Sequence, residues 1–151
     1  MVEITRAGVK DHGIVTSLLM EFARSQGIDP LEDCDGWDRI IARLLDSDSW
    51  VFMLAGEEDR PVGLAVVSFS IPLYGTGERA RLEALVVAKE KKREGVGSLL
   101  LDEVLTAVKR RGCRVLEAGL TGHMDEAIGF LRNLDWAESI LLTLTFADED
   151  Q

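Results

Sequence analysis

Glu83 is a carboxylate set inside an apolar run, Leu82-Glu83-Ala84-Leu85-Val86-Val87. Acidic side chains are rarely placed in an inner strand unless something uses them, so Glu83 is a candidate for moving a proton or holding a cation. Downstream, after the charged connector Ala88 to Glu94, comes Gly95-Val96-Gly97 and then a long helical pattern. A glycine-bearing turn that opens a helix aims several unpaired backbone N–H groups, and the positive end of the helix dipole, at one spot. Such a spot is an anion site, most often filled by phosphate. The glycines let a ligand approach the backbone more closely than side chains would allow.

Two phosphate-loop patterns fail here. A mononucleotide loop ends in Gly-Lys-Ser/Thr, whereas this one ends Gly95-Val96-Gly97-Ser98. A dinucleotide fingerprint needs a third glycine where this chain has Leu100, and wants its glycines directly after the strand rather than beyond a connector.

The elements that must position these groups read as one α/β domain. Val2 to Ala7 has the pattern of a short strand. Asp11 is placed to cap a helix with Ile14, Leu18 and Phe22 on one face. Gly27, Asp29 and Pro30 end that helix, and a second is predicted from about Asp35, with Trp37, Ile40, Ile41, Leu44 and Leu45 at helical spacing. Trp50 to Ala55 and Val62 to Ser70 read as strands joined by a turn at Gly56 to Arg60. Ile71 to Glu78 is a loop carrying Pro72, Tyr74, Gly75 and Gly77, and Arg81 to Val87 is the next strand. The helix after Gly97 turns Leu100, Leu101, Val104, Leu105 and Val108 inward and stops at Gly112. A strand at Val115 to Leu120, a helix at Asp125 to Leu134 and a strand at Ile140 to Phe146 complete the order βααβββαβαβ. The domain is expected to span residues 1–147, with 148–151 as an acidic tail.

Charge and composition narrow the function. The 151 residues carry 17 Lys and Arg against 27 Asp and Glu, a formal charge of −10, which disfavours nucleic acid and anionic membranes as partners. No stretch is long enough to span a bilayer, and no signal-peptide pattern opens the chain. The two cysteines, Cys34 and Cys113, lie far apart, so a cytoplasmic setting is expected, and no His/Cys cluster suggests a metal.

Strand, connector, Lys92-Arg93-Glu94-Gly95-Val96-Gly97 and helix together resemble the GNAT superfamily of N-acetyltransferases, whose signature is R/Q-x-x-G-x-G/A between a strand and a helix. Lys92 stands where the family prefers Arg or Gln, and the element order is also the family's. The resemblance implies a single-domain GNAT-like fold, a mixed central β-sheet flanked by helices. It also implies acetyl-CoA as co-substrate, its pyrophosphate over Lys92, Arg93, Glu94, Gly95, Val96, Gly97 and Ser98 and its pantetheine arm beside Leu85, Val86 and Val87. Phe130 of the late helix joins this cofactor set.

Glu83 is then the expected catalytic residue. A lysine-like amine is only about one part in 2,500 neutral at pH 7, so the chemistry needs a group to take its proton. Strand alternation puts Glu83 on one face with Leu85 and Val87, about 13 Å back from Val87. The bland alternative is an ion pair with Arg79, Arg81 or another cation. The family's late-helix pattern, N-x-x-A-x-x-F-Y-x-x-x-G-F, is matched at Ala127 and Phe130 but has Met124 for Asn, Leu131 for Tyr and Asp135 for Gly. Water, Tyr74 or His123 would then protonate the leaving thiolate, although a turn histidine and a loop tyrosine more often sit at the surface or in packing. His12, near a helix start, reads as a surface or capping residue. The loop Ser70 to Gly77 loosely resembles the diamine and polyamine acetyltransferase branch, but Glu32, Asp33 and Asp35 are as well explained as helix-boundary residues, and the acceptor stays open. Implied partners are acetyl-CoA, a small amine and, by analogy, a second copy in a homodimer. The alternative is a GNAT-like domain that binds acyl-CoA as a regulatory module, and a nucleotide-binding α/β domain is a third reading.

Overall fold

The computed structural model describes residues 1–25, 27, 34–73, 75, 77–119 and 144. Their elements are β1 (Glu3–Arg6), α1 (His12–Ser25), α2 (Cys34–Leu45), β2 (Trp50–Glu57), β3 (Arg60–Ser70), β4 (Arg79–Val87), α3 (Val96–Arg110) and β5 (Leu116–Ala118), with 3₁₀ turns at Val9–Asp11 and Lys89–Lys91. The expected order is reproduced as far as β5. The expected late helix, last strand and acidic tail lie outside the described residues.

The sheet runs β1-β2-β3-β4-β5. Its first three pairings are antiparallel and β4–β5 is parallel, so the sheet is mixed. A parallel neighbour needs a crossover, and α3 supplies it. The β2–β3 hairpin is tighter than the expected turn. The strands run on to Glu57 and Arg60, and Glu58 and Asp59 both take positive φ, as the two-residue turn that fits strand twist requires. Asp11 does not cap α1 directly: its carboxylate accepts the Gly8 N–H at 2.8 Å and closes the 3₁₀ turn that leads into the helix.

Alternation along the strands builds two cores. On one face, Val51, Met53, Ala55, Ala65, Val67 and Phe69 pack under Val96, Leu100, Leu101, Val104 and Val108 of α3. On the other, Phe52, Leu64 and Val66 pack under Val15 and Leu18 of α1 and Ile41 and Leu45 of α2. Both faces of β3 are thus covered, as its nearly continuous apolar sequence demands. Gly63 lets α3 sit close, because a Cβ there would lie 3.0 Å from both Leu100 Cδ1 and the Val86 carbonyl and 3.1 Å from Val96. The far end of α3 closes with Gly112 N–H donating to Lys109 and Cys113 N–H to Val108, a Schellman cap.

Candidate active site

The glycine-bearing turn that opens a helix forms where the spacing predicted it, with one change of boundary. Gly95 is the N-cap at φ +85°, and α3 begins at Val96, so Gly97 lies in the first helical turn rather than before it. Arg93 also takes a left-handed φ of 69°. Left-handed residues curl successive N–H groups toward one side, the backbone geometry of anion-binding nests. The first intrahelical bond runs from Leu99 N–H to Gly95 O at 3.1 Å, which leaves the amides of Val96, Gly97 and Ser98 in the unpaired first turn. Lys92, Arg93, Glu94, Gly95 and Ser98 are exposed and Gly97 half-buried, while Val96 is anchored in the core at 1% exposure.

Lys91 ties this loop to the β2–β3 hairpin. Its ammonium meets Glu57 Oε2 at 2.5 Å and Glu94 Oε2 at 3.4 Å. The hydrogen bond between them raises the Lys91 pKa above its ordinary value and lowers that of Glu57.

β4 pairs with β5 only from Ala80 to Leu82, so among the described residues Glu83 to Val87 have no strand on that side. An open β edge presents unused N–H and C=O groups, able to pair with an extended amide-bearing ligand. Leu85 and Val87 pack toward α3 and Val86 toward α1, so their side chains serve the two cores while the edge stays open.

Glu83 corrects the alternation argument. The β3–β4 register shifts between Val66 and Val67, which face Ala84 and Leu82, and Glu83 is the extra residue of a bulge. Ala80 and Leu82 before the bulge point to the α3 face, as do Leu85 and Val87 after it. Glu83 therefore does not share their face. Its carboxylate accepts the Ser68 hydroxyl at 2.6 Å and lies 3.7 Å from Arg81 Nε. Ser68 continues the phase of Leu64 and Val66, so the carboxylate sits toward the α1/α2 side, with 31% of its side chain exposed. The expected pairing with Arg81 is present, but it is loose and partly solvated, and such pairs stabilise little.

Ser68 was not singled out from the sequence, although one signal was there: a hydroxyl in phase with buried Leu64 and Val66. Tyr74, His123 and Phe130 lie outside the described residues, so no acid for the leaving group is placed. His12 is the first residue of α1 and its side chain is 43% exposed, in keeping with a surface residue near a helix start. Its Nδ1 pairs with Asp38 at 2.9 Å, and Thr16 donates to the same carboxylate at 2.7 Å, which ties α1 to α2. These bonds, His12 first, lower the Asp38 pKa. Cys113 is buried, and burial raises its pKa, which disfavours the reactive thiolate.

The acetyltransferase (GNAT) family model matches residues 15–136. The chain belongs to the GNAT family. That match spans both candidate features, the bulged strand and the loop before α3. No curated protein is significantly similar in sequence. Among solved structures, a predicted acetyltransferase of Clostridium acetobutylicum with acetyl-CoA superposes with TM-score 0.85 at 17% identity, covering 96% of each chain. An aminoglycoside acetyltransferase from an uncultured soil metagenome gives 0.82 at 19% identity, over 98% of this chain and 99% of that one. A candidate acetyltransferase from Arthrobacter sp. FB24 gives 0.77 at 28% identity, over 97% and 95%. At the two lower identities the likeness speaks for the GNAT fold alone. Among the described residues, no helix is long and apolar enough to cross a membrane, and no cluster of potential metal ligands occurs.

Proposed function

We propose that the chain transfers an acetyl group from acetyl-CoA to a primary amine of a small molecule, by direct attack of the amine on the thioester. The observation that carries this reading is that, among the described residues, β4–β5 pairing ends at Leu82, which leaves an edge running from Glu83 to the anion-type loop. The residues present fit the co-substrate: Arg93 to Ser98 offer backbone N–H groups and a helix dipole to its pyrophosphate, and the Leu85 to Val87 edge can pair with its pantetheine amides. The neighbour solved with acetyl-CoA supports the same assignment by its fold.

In the transfer, a C–N bond forms as the C–S bond breaks. The ammonium must first lose its proton, which Glu83 accepts directly or through a water. Ser68 orients that carboxylate by donating to it. The departing thiolate, with an ordinary pKa near 8.5, takes its proton from solvent, Tyr74 or His123. The two cysteines fit work in the cytoplasm, and pairing into a homodimer is proposed only by analogy with the family.

The test is release of free CoA thiol from acetyl-CoA with a panel of primary amines. Turnover of at least one is expected, and CoA binding without any turnover would favour the acyl-CoA-binding module instead. Leu131 and Met124, standing where the family's tyrosine and asparagine would be, keep that second reading in view.

A further inference from the structure

On the α1/α2 side of the sheet, the floor changes character at the level of the bulge. Phe52, Leu64, Val66 and Val86 are apolar and covered by helices. Beyond them, in the same phase and in register across three strands, come Ser68, Arg81 and Glu117. Arg79 lies one phase further along β4, with its Nη1 3.8 Å from Glu117 Oε1. Glu83 joins this group from the bulge, 3.7 Å from Arg81. Gly119 leaves room for the Arg81 guanidinium, since a Cβ there would stand 2.5 Å from Nη2.

Two cations and two anions therefore alternate beside the edge of β4 that no described strand covers. Their side chains are 31% to 44% exposed, and neither pair closes below 3.7 Å. Loose, partly solvated pairs gain little from each other, so an incoming ligand can replace either partner at small cost. The guanidinium fork matches a carboxylate in two parallel hydrogen bonds. Arg81 Nε and Glu83 Oε1 lie 3.7 Å apart, so one small molecule carrying an ammonium and a carboxylate close together can meet both.

We propose that the amine acceptor is zwitterionic, an α-amino-acid-type molecule whose ammonium is received by Glu83 and whose carboxylate is received by Arg81. The inference rests on the acetyltransferase reading and deepens it by naming the acceptor's chemistry. The transfer is unchanged: nitrogen bonds to the acetyl carbon, sulfur leaves, and the ammonium proton departs through Glu83. A diamine or polycationic acceptor brings its second positive charge against Arg81 and Arg79, where it is repelled.

The experiment uses the full chain with acetyl-CoA and measures thiol release with the standard amino acids, their carboxamides and putrescine. For at least one amino acid, kcat/KM should exceed that of its carboxamide and of putrescine by about tenfold or more, the size of one hydrogen bond to a charged group. Arg81→Gln should erase most of that ratio, chiefly through KM, and Arg81→Lys should restore part of it. Equal or better turnover of carboxamides or putrescine overturns the proposal, as does a ratio that Arg81→Gln leaves unchanged. If no amine turns over, calorimetry of the same compounds on CoA-saturated protein decides. A carboxylate preference that needs Arg81 upholds the assignment while the transferase reading falls, and no such preference overturns it.

Discussion

At the residue scale, Glu83 is defined by what surrounds it. A bulge removes it from the regular face of β4, a hydroxyl from β3 holds it, and a guanidinium lies within reach. If it receives the amine's proton, Glu83→Gln keeps the shape and the Ser68 contact but cannot accept a proton. Turnover should fall about 10²- to 10⁴-fold, the usual contribution of a positioned base, while CoA affinity measured by calorimetry stays unchanged. An equal loss of CoA affinity would mean that the carboxylate organises the edge of β4 rather than the chemistry. Ser68→Ala should have a smaller effect of the same kind, because it removes the orienting donor and leaves the base.

At the element scale, the junctions around α3 matter most. Its start depends on Gly95 at φ +85°. Gly95→Ala puts a Cβ into that conformation and should cost about 1–2 kcal/mol of stability, read from urea unfolding. It should also weaken CoA binding by disturbing the first-turn amides. The end of α3 is clamped by Arg111, which pairs with Glu78 through two nitrogens, donates to the Asp48 carbonyl at 2.6 Å and lies 4.1 Å over the Phe69 ring. The Arg111 hydrogen bond holds the Glu78 carboxyl below the ordinary carboxylate range. A depressed carboxylate pKa stabilises the fold above its unfolded value and loses that contribution as pH falls through the folded one. The gap in urea midpoint between the parent chain and Glu78→Gln should therefore be present at neutral pH. It should shrink once pH drops below about 4.3, the ordinary glutamate value. A gap that persists undiminished in acid would mean that Glu78 acts by packing.

At the scale of the whole molecule, one sheet carries two separate cores, and its only described parallel pairing is the short one that ends at Leu82. Any ligand held along that edge of β4 binds the folded chain and not the unfolded one. Acetyl-CoA at about 100 times its Kd should thus add about 2.7 kcal/mol, seen as a rise in Tm. NAD and ATP should give smaller rises at equal concentration. An equal or larger rise with either would point to the nucleotide-binding reading.

What the chain spells out locally could be read without coordinates. The order of elements through β5, the helix opened by Gly95 and the end of α3 at Gly112 depend on near neighbours, and near neighbours are what periodicity and turn chemistry report. The family likeness lay in the same contiguous stretch, Leu82 to Leu100. The face of Glu83 was not legible, because a bulge is a mismatch between two strands and neither strand's alternation records it. Arg81, two residues away, could be foreseen as its partner, but Ser68 is 15 residues away, and Glu117 reaches the cluster only through the parallel pairing that α3 creates. Such contacts between distant segments follow from strand register, which the packing of both faces decides together.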